Sequence, residues 1–315
     1  MCVSAKGAYL KAAVFEYHQP ASAEAAVEML AELGEDAKVL AGGQSLVPVM
    51  AMRLGRPEHL VDVNRVGELS GVTRSDGMLR VGALTRHRAL ERDEAIGRDV
   101  PLLARAAPYI GHFQIRNRGT LGGSLAHADP AAELPAVAVA LDAEIEARSV
   151  RGSRRIPAGD FFVSAFTTVL EPDELVTAVH LPVWGPGSGF AVTEFTRRHG
   201  DFAIAGAACG VQVNGDRITR AAVALIGMGS VPVRARAAEQ ALTGASIGEA
   251  SIGEASIGEA SIGEADLVAI GSEAVAALEP PADAHGSAAY RRRVGAHMIA
   301  RALRAALAEA QGDLP

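Results

Sequence analysis

The stretch AGGQSLVPVMAMRLGRPEHLVDVNRV, residues 41–66, decides the fold because it opens with a glycine pair directly after an apolar run. The run is Lys38-Val39-Leu40, and the pair is Gly42-Gly43. Glycine has no Cβ, so consecutive backbone N–H groups can converge on one anion, and phosphate groups are typical ligands of such concavities. The stretch therefore predicts a strand, an anion-binding loop and a helix over roughly 46–54.

A second glycine pair, Gly122-Gly123, lies in IRNRGTLGGSLAHADPAAELPAVAVALDAEIE, residues 115–146. It follows Phe113-Gln114-Ile115-Arg116, a run that predicts a strand or an extended segment. A Ser and a Leu come soon after each glycine pair. Most single Gly-Gly pairs mark plain turns, but two in one domain predict a dinucleotide held from both sides.

These two stretches resemble the FAD-binding medium subunit of the molybdenum hydroxylases. The stretch TRRHGDFAIAGAACGV, residues 196–211, adds to the resemblance, and HGSAAYRRRV, residues 285–294, is a weaker match. The family includes aerobic carbon monoxide dehydrogenase, xanthine dehydrogenase and bacterial N-heterocycle hydroxylases. The matching stretches follow the family's order along nearly the whole chain.

The resemblance implies an α+β protein. Its first part is a two-subdomain FAD-binding fold of the vanillyl-alcohol-oxidase/PCMH type, and a C-terminal antiparallel sheet with helices on one face follows. We expect the first subdomain at residues 1–56, the second at 57–183 and the C-terminal domain at 184–315. The strand His59–Val63 is expected to open the second subdomain.

Local signals predict several elements directly. Ser22 is a plausible N-cap for a helix that Gly34 ends. Asn214-Gly215-Asp216 predicts a hairpin between two strands of the C-terminal sheet. Helices are expected over 233–242 and 287–310, the second of them amphipathic.

Residues 246–265 are four copies of Ser-Ile-Gly-Glu-Ala. Their five-residue period matches neither a helix nor a strand, and the glycine in each copy weakens a helix further. Two interpretations are open, a tolerated surface loop and a partner-binding arm, and the first is favoured because loop length costs little.

Composition and charge exclude several classes of protein. The 315-residue chain is 49% hydrophobic and carries a net charge of −7, without the clustered basic residues of a nucleic-acid-binding domain. No run is long and apolar enough for a transmembrane helix, and the start of the chain has no secretory signal, so a cytoplasmic protein is expected.

The chain has two cysteines, Cys2 and Cys209. An iron–sulfur cluster normally needs four cysteines and a structural zinc needs close pairs, so neither site fits this chain, and Cys209 is expected in the core. Any metals of an electron-transfer enzyme must then lie on partner chains.

The first glycine loop is the primary candidate for cofactor binding. The N–H groups of Gly42, Gly43, Gln44 and Ser45 are expected to wrap the pyrophosphate, with the Ser45 hydroxyl as a further donor. Leu40 and Leu46 flank the loop as core anchors, although the family uses both positions, together with Ala41, near the cofactor. The loop contains no His or Cys, so the FAD is expected to be non-covalent.

The second glycine segment offers the hydroxyls of Thr120 and Ser124 and the close backbone approach of Gly122 and Gly123. The family pattern directs it to the ribityl chain and the flavin ring. Three polar residues follow, and each has a structural and a cofactor-binding interpretation. They are His127, Asp129 and Glu133. Asp129 either caps a helix that begins at Pro130 or forms hydrogen bonds with ribityl or ribose hydroxyls. Glu133 either interacts favourably with a helix dipole or lies near the flavin.

Three further residues are candidates through the resemblance alone. Ile110 and Val176 occupy positions where relatives place apolar contacts to the adenine and the flavin. Arg197 belongs to a polar group with Arg198 and Asp201 that either forms a surface ion pair or approaches the flavin ring. No residue of this chain is expected to act as a general acid or base.

The resemblance also implies an electron route. Substrate is oxidised on a large molybdenum-pterin subunit, and electrons cross two 2Fe–2S clusters on a small subunit, reach FAD here and leave to an external acceptor. The expected assembly is a dimer of three-chain units. The alternative is a self-sufficient FAD-dependent oxidoreductase of the same flavin fold. The sequence leaves open the substrate, which the large subunit selects, and the acceptor.

Overall fold

The computed structural model describes residues 11–247 and 262–312. Its N-terminal unit is a three-stranded parallel sheet in the order β1-β3-β2. Its strands and helices are β1 (Glu16–His18), α1 (Ala23–Leu33), β2 (Ala37–Leu40), α2 (Leu46–Ala51) and β3 (His59–Asp62). The Ser22 hydroxyl accepts from the Ala25 N–H at 3.1 Å, and Gly34 ends α1 at φ +59°, which confirms both predicted ends of this helix.

The middle unit is a five-stranded antiparallel sheet in the order β4-β5-β10-β6-β7. Its five strands are β4 (Val72–Ser75), β5 (Met78–Gly82), β6 (Glu144–Ser149), β7 (Gly152–Pro157) and β10 (Leu175–Pro182). A small hairpin is formed by β8 (Phe162–Ser164) and β9 (Thr167–Thr168). The helices are α3 (His87–Arg92), α4 (Glu94–Asp99), α5 (Pro101–Ala106), α6 (Phe113–Arg118), α7 (Leu121–His127), α8 (Glu133–Ala140) and α9 (Ala158–Phe161).

The C-terminal unit is a four-stranded antiparallel sheet in chain order. Its elements are β11 (Ser188–Phe195), β12 (Ala205–Asn214), β13 (Arg217–Ile226), β14 (Val233–Arg234), α10 (Arg236–Leu242), α11 (Glu264–Ala276) and α12 (Ala288–Gln311). Gly215, at φ +63°, forms the predicted hairpin between β12 and β13. Buried Cys209 lies in β12, as expected for a core residue.

This C-terminal sheet is covered on both faces. Helix α12 packs on β11 and β12, and α10 packs on β13, so the helices of the same unit cover one face as predicted. Helices α5 and α8 of the middle unit cover the other face. Alternate residues of β12 therefore enter two different cores, Ala208 with the middle unit and Cys209 with α12.

Four local predictions are wrong. The segment Phe113–Arg116 is the start of helix α6 rather than a strand, and the second glycine pair lies inside helix α7 rather than in a loop. Val233 begins the short strand β14, and the helix follows from Arg236. Strand β3 lies at the centre of the first sheet because it pairs with both β1 and β2, so it does not open the second unit. We propose that the first unit extends at least to the end of β3.

The tandem repeat is described only at its ends, because residues 248–261 lie outside the described residues. The Ile262 N–H donates to the Ser246 carbonyl at 2.8 Å. Ile247 and Ile262 both pack against the core of the C-terminal unit. The first and last copies therefore meet at the surface of this core. Across 11–247 and 262–312, helices of the length and apolarity that a membrane crossing requires are absent.

Candidate FAD site

The first glycine loop, residues 41–45, joins β2 to α2. Gly43 adopts φ +72°, a backbone conformation that favours glycine. Gln44 and Ser45 are exposed, and the Gln44 Nε2 donates to the Gly42 carbonyl at 3.0 Å. Leu40 and Leu46 are half-buried on either side of the loop. The chain thus presents the loop at the surface while its flanking leucines anchor it.

The loop leaves a run of backbone donors open. Among the described residues, the five consecutive N–H groups from Gly42 to Leu46 donate no hydrogen bond. The first intrahelical bonds begin only at Val47, whose N–H donates to the Gly43 carbonyl at 3.1 Å. Backbone N–H groups that lack a protein partner need water or a ligand. Five in succession lie at the loop for which the sequence predicts anion binding.

The second glycine segment, residues 119–124, is built differently. Thr120 is the N-cap of α7, and its hydroxyl accepts from the Gly123 N–H at 3.1 Å. The Gly122 N–H donates to the Ala83 carbonyl at 2.8 Å, and the Ser124 N–H donates to the Thr120 carbonyl at 3.0 Å. The N–H groups from Leu121 to Ser124 are therefore already used within the protein. Its glycines serve close packing, since a Cβ on Gly122 would lie 2.5 Å from the Cβ of Ala83.

The two glycine segments nevertheless lie side by side. A Cβ on Gly42 would lie 2.5 Å from the Arg118 carbonyl oxygen and 2.8 Å from the Gly119 Cα. A Cβ on Gly123 would lie 3.8 Å from the Cβ of Ala41. The absence of side chains at Gly42 and Gly123 thus allows the backbones of the two segments to approach each other. The two segments are therefore adjacent, and the binding of a dinucleotide between them stays a prediction.

Two side chains that the sequence analysis missed hold the segments together. The Arg86 guanidinium donates to the Arg118 carbonyl and, at 2.6 Å, to the Asn64 Oδ1. The Asn64 Nδ2 donates in turn to the Ala41 carbonyl at 2.8 Å. Asn64 lies in the quoted stretch 41–66, but only the tertiary structure shows what it contacts.

Two buried polar residues beneath the second segment, Thr85 and His87, were not among the candidates of the sequence analysis. The His87 Nε2 lies 2.9 Å from the Thr120 carbonyl, which can only accept, so this nitrogen carries the proton. Burial lowers the pKa of His87 to about 4, which keeps the ring neutral. The His87 Nδ1 and the Thr85 Oγ1 are buried without a hydrogen-bond partner among the described residues. Both are free to bond water or a ligand beside α7.

The polar residues after the second segment fall into different environments. Ser124 and His127 are half-buried on α7, and the His127 ring packs against Phe166 with ring centroids 5.2 Å apart. Asp129 accepts from the Ala131 N–H at 2.9 Å. Helix α8 begins at Glu133, so the prediction that Asp129 caps a helix at Pro130 is wrong.

Two carboxyl groups occupy the junction between the middle and C-terminal units. Glu133 is 7% exposed, and burial raises its pKa to about 7, with a further contribution from Asp129. Burial also raises the pKa of Glu194 to about 8, and the nearby Glu133 adds to the rise. The Glu194 Oε2 is buried without a partner among the described residues. At neutral pH this junction can therefore hold a proton on a carboxyl group.

The remaining candidates lie around this site. Ile110 is half-buried, and its carbonyl accepts from the Arg116 guanidinium at 3.2 Å. Val176 is buried in β10, a strand that contacts α7. Arg197 is exposed, while its neighbour Arg198 forms the surface ion pair with Asp201 at 3.3 Å.

Comparisons with known proteins agree along the chain. A family model described as the FAD binding domain in molybdopterin dehydrogenase matches residues 13–184, and one described as the CO dehydrogenase flavoprotein C-terminal domain matches residues 190–306. The 6-hydroxypseudooxynicotine dehydrogenase complex subunit alpha of Paenarthrobacter nicotinovorans is 43% identical over 96% of this chain and 97% of its own.

Carbon monoxide dehydrogenase gives a similar match in sequence and in structure. The medium chain of the Hydrogenophaga pseudoflava enzyme is 36% identical over 93% of this chain and 97% of its own. A solved structure of that organism's carbon monoxide dehydrogenase, lacking the Mo-pyranopterin moiety of the molybdenum cofactor, superposes with a TM-score of 0.87 at 36% identity. It covers 94% of this chain and 98% of the other.

Proposed function

This chain belongs to the family of FAD-binding subunits of molybdenum hydroxylases, and we propose that it passes electrons from iron–sulfur clusters on a partner chain through FAD to an external acceptor. It is an oxidoreductase subunit, and its cofactor is FAD. The family model that names FAD covers both glycine segments, residues 41–45 and 119–124.

One observation carries the assignment of the binding site, namely the five open N–H groups from Gly42 to Leu46. We propose that these groups and the Ser45 hydroxyl hold the FAD pyrophosphate. Phosphate oxygens only accept, so a run of unused donors fits them and neutralises part of their charge. The second segment supports this loop through Arg86 and Asn64 and shapes the adjoining surface.

The other candidates are proposed as the surroundings of the same cofactor. They are Leu40, Ala41, Ile110, Thr120, Gly122, Gly123, Ser124, His127, Asp129, Glu133, Val176 and Arg197. The structure changes the proposed roles of two of them. The Gly122 and Gly123 N–H groups are committed to internal hydrogen bonds, so they position α7 rather than donate to the cofactor. The Thr120 hydroxyl accepts from the Gly123 N–H and still has its own O–H to donate.

Bound FAD supplies the redox chemistry itself, because its ring accepts and releases electrons. The proposed role of this chain's residues is to bind the cofactor and to orient it. Glu133 and Glu194 can each hold a proton on a carboxyl group, as their raised pKa values of about 7 and about 8 allow. Thr85 and His87 offer unpartnered buried atoms beside α7.

The chain is a subunit of a multi-subunit complex, as its relatives are. We propose that the partners are a large molybdenum-pterin subunit and a small subunit with two 2Fe–2S clusters, assembled as a dimer of three-chain units. The two relatives above are named for different substrates, yet both match this chain along nearly its whole length. This pattern supports selection of the substrate by the large partner. The predicted cytoplasmic location remains a prediction.

Two measurements test the function. The purified chain should contain FAD that acid precipitation releases completely, and dithionite should bleach it. The isolated chain should not oxidise carbon monoxide, aldehydes or N-heterocycles with a dye acceptor, whereas the complex with its partners should oxidise one such class. Flavin retained in the pellet contradicts non-covalent binding. Turnover by the isolated chain would establish the self-sufficient oxidoreductase instead.

A further inference from the structure

A second group of ligand-type side chains lies outside the FAD site, on the N-terminal sheet. Glu16 and His18 are two residues apart on β1, so their side chains leave the same face of the strand. Strand β3 pairs with β1 in parallel, with Glu16 directly opposite His59. The sheet register therefore brings one carboxylate and two imidazoles together.

Three ligand atoms of this group converge on a small region. The His59 Nδ1 lies 3.1 Å from the His18 Nε2 and 3.6 Å from the Glu16 Oε2. One ligand atom from each of the three residues lies within 4.8 Å of the other two. Zinc binds imidazole nitrogen at about 2.0–2.1 Å, so two ligand atoms of a tetrahedral site are about 3.3 Å apart. The observed separations of 3.1 Å and 3.6 Å lie on either side of this tetrahedral value.

We propose that Glu16, His18 and His59 bind a divalent transition-metal cation of the Zn²⁺ class. Two imidazoles and one carboxylate suit such borderline metals, whereas Mg²⁺ and Ca²⁺ prefer oxygen ligands alone. Glu16 is largely exposed, with 73% of its side chain accessible, which leaves room for water at a fourth position. The ion cross-links β1 to β3.

The cross-link has a structural consequence at the edge of the sheet. Strand β1 is only three residues long and pairs with β3 as an edge strand. Short edge strands have few hydrogen bonds and open easily. A metal held by both strands therefore fixes β1 onto the sheet.

The site is separate from the proposed cofactor site. His59 begins β3, whereas the first glycine loop follows Leu40 at the end of the neighbouring parallel strand β2. Leu40 pairs with Asp62, three residues beyond His59. The metal-site variants should therefore keep their flavin, which makes the visible flavin spectrum an independent check that each variant is folded.

The test uses the full FAD-loaded chain without an affinity tag. Calorimetric titration with Zn²⁺ should give one ion per chain, and Co²⁺ should give ligand-field bands at longer wavelength than oxidised flavin. His18→Ala and His59→Ala should each weaken Zn²⁺ binding about tenfold or more, and Glu16→Gln should weaken it as well. His297→Ala is the matched control, because it removes an exposed imidazole on α12 and should bind Zn²⁺ like the parent.

A second readout follows the strand itself. Zn²⁺ should slow amide exchange of residues 16–18 in the parent and leave it unchanged in His59→Ala. The proposal is overturned if the parent binds Zn²⁺ no more tightly than His18→Ala and His59→Ala. In that case the contact is only an imidazole hydrogen bond beside an ion pair. Loss of binding in His297→Ala to the same extent would overturn it too, because the ion would then be bound at scattered histidines.

Discussion

The two glycine segments are similar in sequence but differ in whether their backbone N–H groups have acceptors within the protein. The first loop leaves five consecutive N–H groups from Gly42 to Leu46 without a partner among the described residues. The second segment donates the N–H groups of Leu121, Gly122 and Gly123 to acceptors within the protein. A glycine pair therefore does not by itself identify a ligand loop. What distinguishes the two is whether the backbone donors are already used.

This difference predicts which variants lose the flavin and which lose the fold. Substitutions in the first loop are expected to weaken cofactor binding at a small cost in stability. Substitutions in the second segment are expected to lower the free energy of unfolding, and to weaken cofactor binding only because the fold is disturbed. The sequence predicts a cofactor loop at both glycine pairs, and for the second pair the contact with the cofactor stays a prediction, since its N–H groups already have acceptors within the protein.

The largest effect is expected for Gly122→Val. A Cβ at this position would lie 2.5 Å from the Cβ of Ala83 and 3.1 Å from its carbonyl oxygen, so α7 must move away from β5. We expect a loss of about 3 kcal/mol or more in the free energy of unfolding, seen as a lower thermal midpoint of the flavin-free protein.

Gly97→Ala is the matched control for that variant. Gly97 lies in α4 with nothing within 4 Å of its added Cβ, so the change should be neutral or should stabilise the helix by up to about 1 kcal/mol. If Gly122→Val instead kept the parent's thermal midpoint and lost only flavin, the second segment would be a ligand loop after all.

The next effect is a dependence of stability on pH, and it arises from the buried carboxyl group of Glu133 at the start of α8. The pKa of Glu133 is raised from 4.5 to about 7, mainly by burial. The unfolded carboxyl ionises first as pH rises, so folding stability is fully present below pH 4.5 and falls until about pH 7. We expect Glu133→Gln to remove up to about 3 kcal/mol of that fall, measured by denaturant unfolding at about pH 5 and about pH 8.

The ionisable groups near Glu133 affect how much of the pH dependence Glu133→Gln removes. Asp129 acts on Glu133 directly, Glu133 acts on Glu194, and Glu194 and Arg301 both act on Tyr109. Glu194 titrates with Glu133 as a pair, so part of the slope should survive in Glu133→Gln. The exposed Glu35→Gln should keep the parent's whole slope. An unchanged slope in Glu133→Gln would contradict the burial argument. The loop Gly42–Leu46 has no ionisable side chain and should contribute nothing.

A smaller effect tests the first loop. Gly43→Ala places a side chain at φ +72°, which costs about 1 kcal/mol of stability. Its Cβ would lie 3.1 Å from the Val47 Cγ2 and 3.2 Å from the Leu40 Cδ1, so the loop that carries the open N–H groups must shift. Gly77→Ala is a matched control, because Gly77 has φ +73° in the hairpin between β4 and β5 with nothing within 4 Å.

Gly43→Ala should lose at least as much stability as Gly77→Ala, because its Cβ also meets Val47 and Leu40, but only Gly43→Ala should weaken FAD binding, by about tenfold or more, or about 1.4 kcal/mol. The measurement is recovery of FAD by the flavin-free proteins, followed through quenching of flavin fluorescence. Equal FAD affinity in the two variants would remove the first loop from the binding site.

The smallest effect on stability is expected for shortening the tandem repeat, which belongs to neither glycine segment. Deletion of residues 251–260 removes two copies and keeps the contact between Ser246 and Ile262. Shortening the loop should raise the free energy of unfolding by no more than about 1 kcal/mol. Deletion of residues 247–261 also removes the core contact of Ile247 and should be the less stable variant. A large loss of stability in the two-copy deletion, or loss of a partner chain, would show that the repeat is an ordered contact.

The sequence alone determined the features that depend on neighbouring residues. Ser22 and Gly34 define α1 because a cap acts on backbone groups within one helical turn. Gly215 marks the hairpin between β12 and β13 because its backbone conformation is local. The strand β2, the glycine loop after it and the helix α2 were predictable for the same reason.

Only the tertiary structure decided the features that depend on distant residues. Phe113–Arg116 has the alternating pattern of a strand, yet it is helical, and the Arg116 guanidinium bonds to the carbonyls of Pro108, Ile110 and Gly111. The second glycine pair forms a helix despite its weak helix propensity, because Gly122 fits against Ala83 and Thr120 caps the first turn. Whether a backbone N–H is free for a ligand depends on which acceptors the fold brings to it, and those acceptors are far away in the chain.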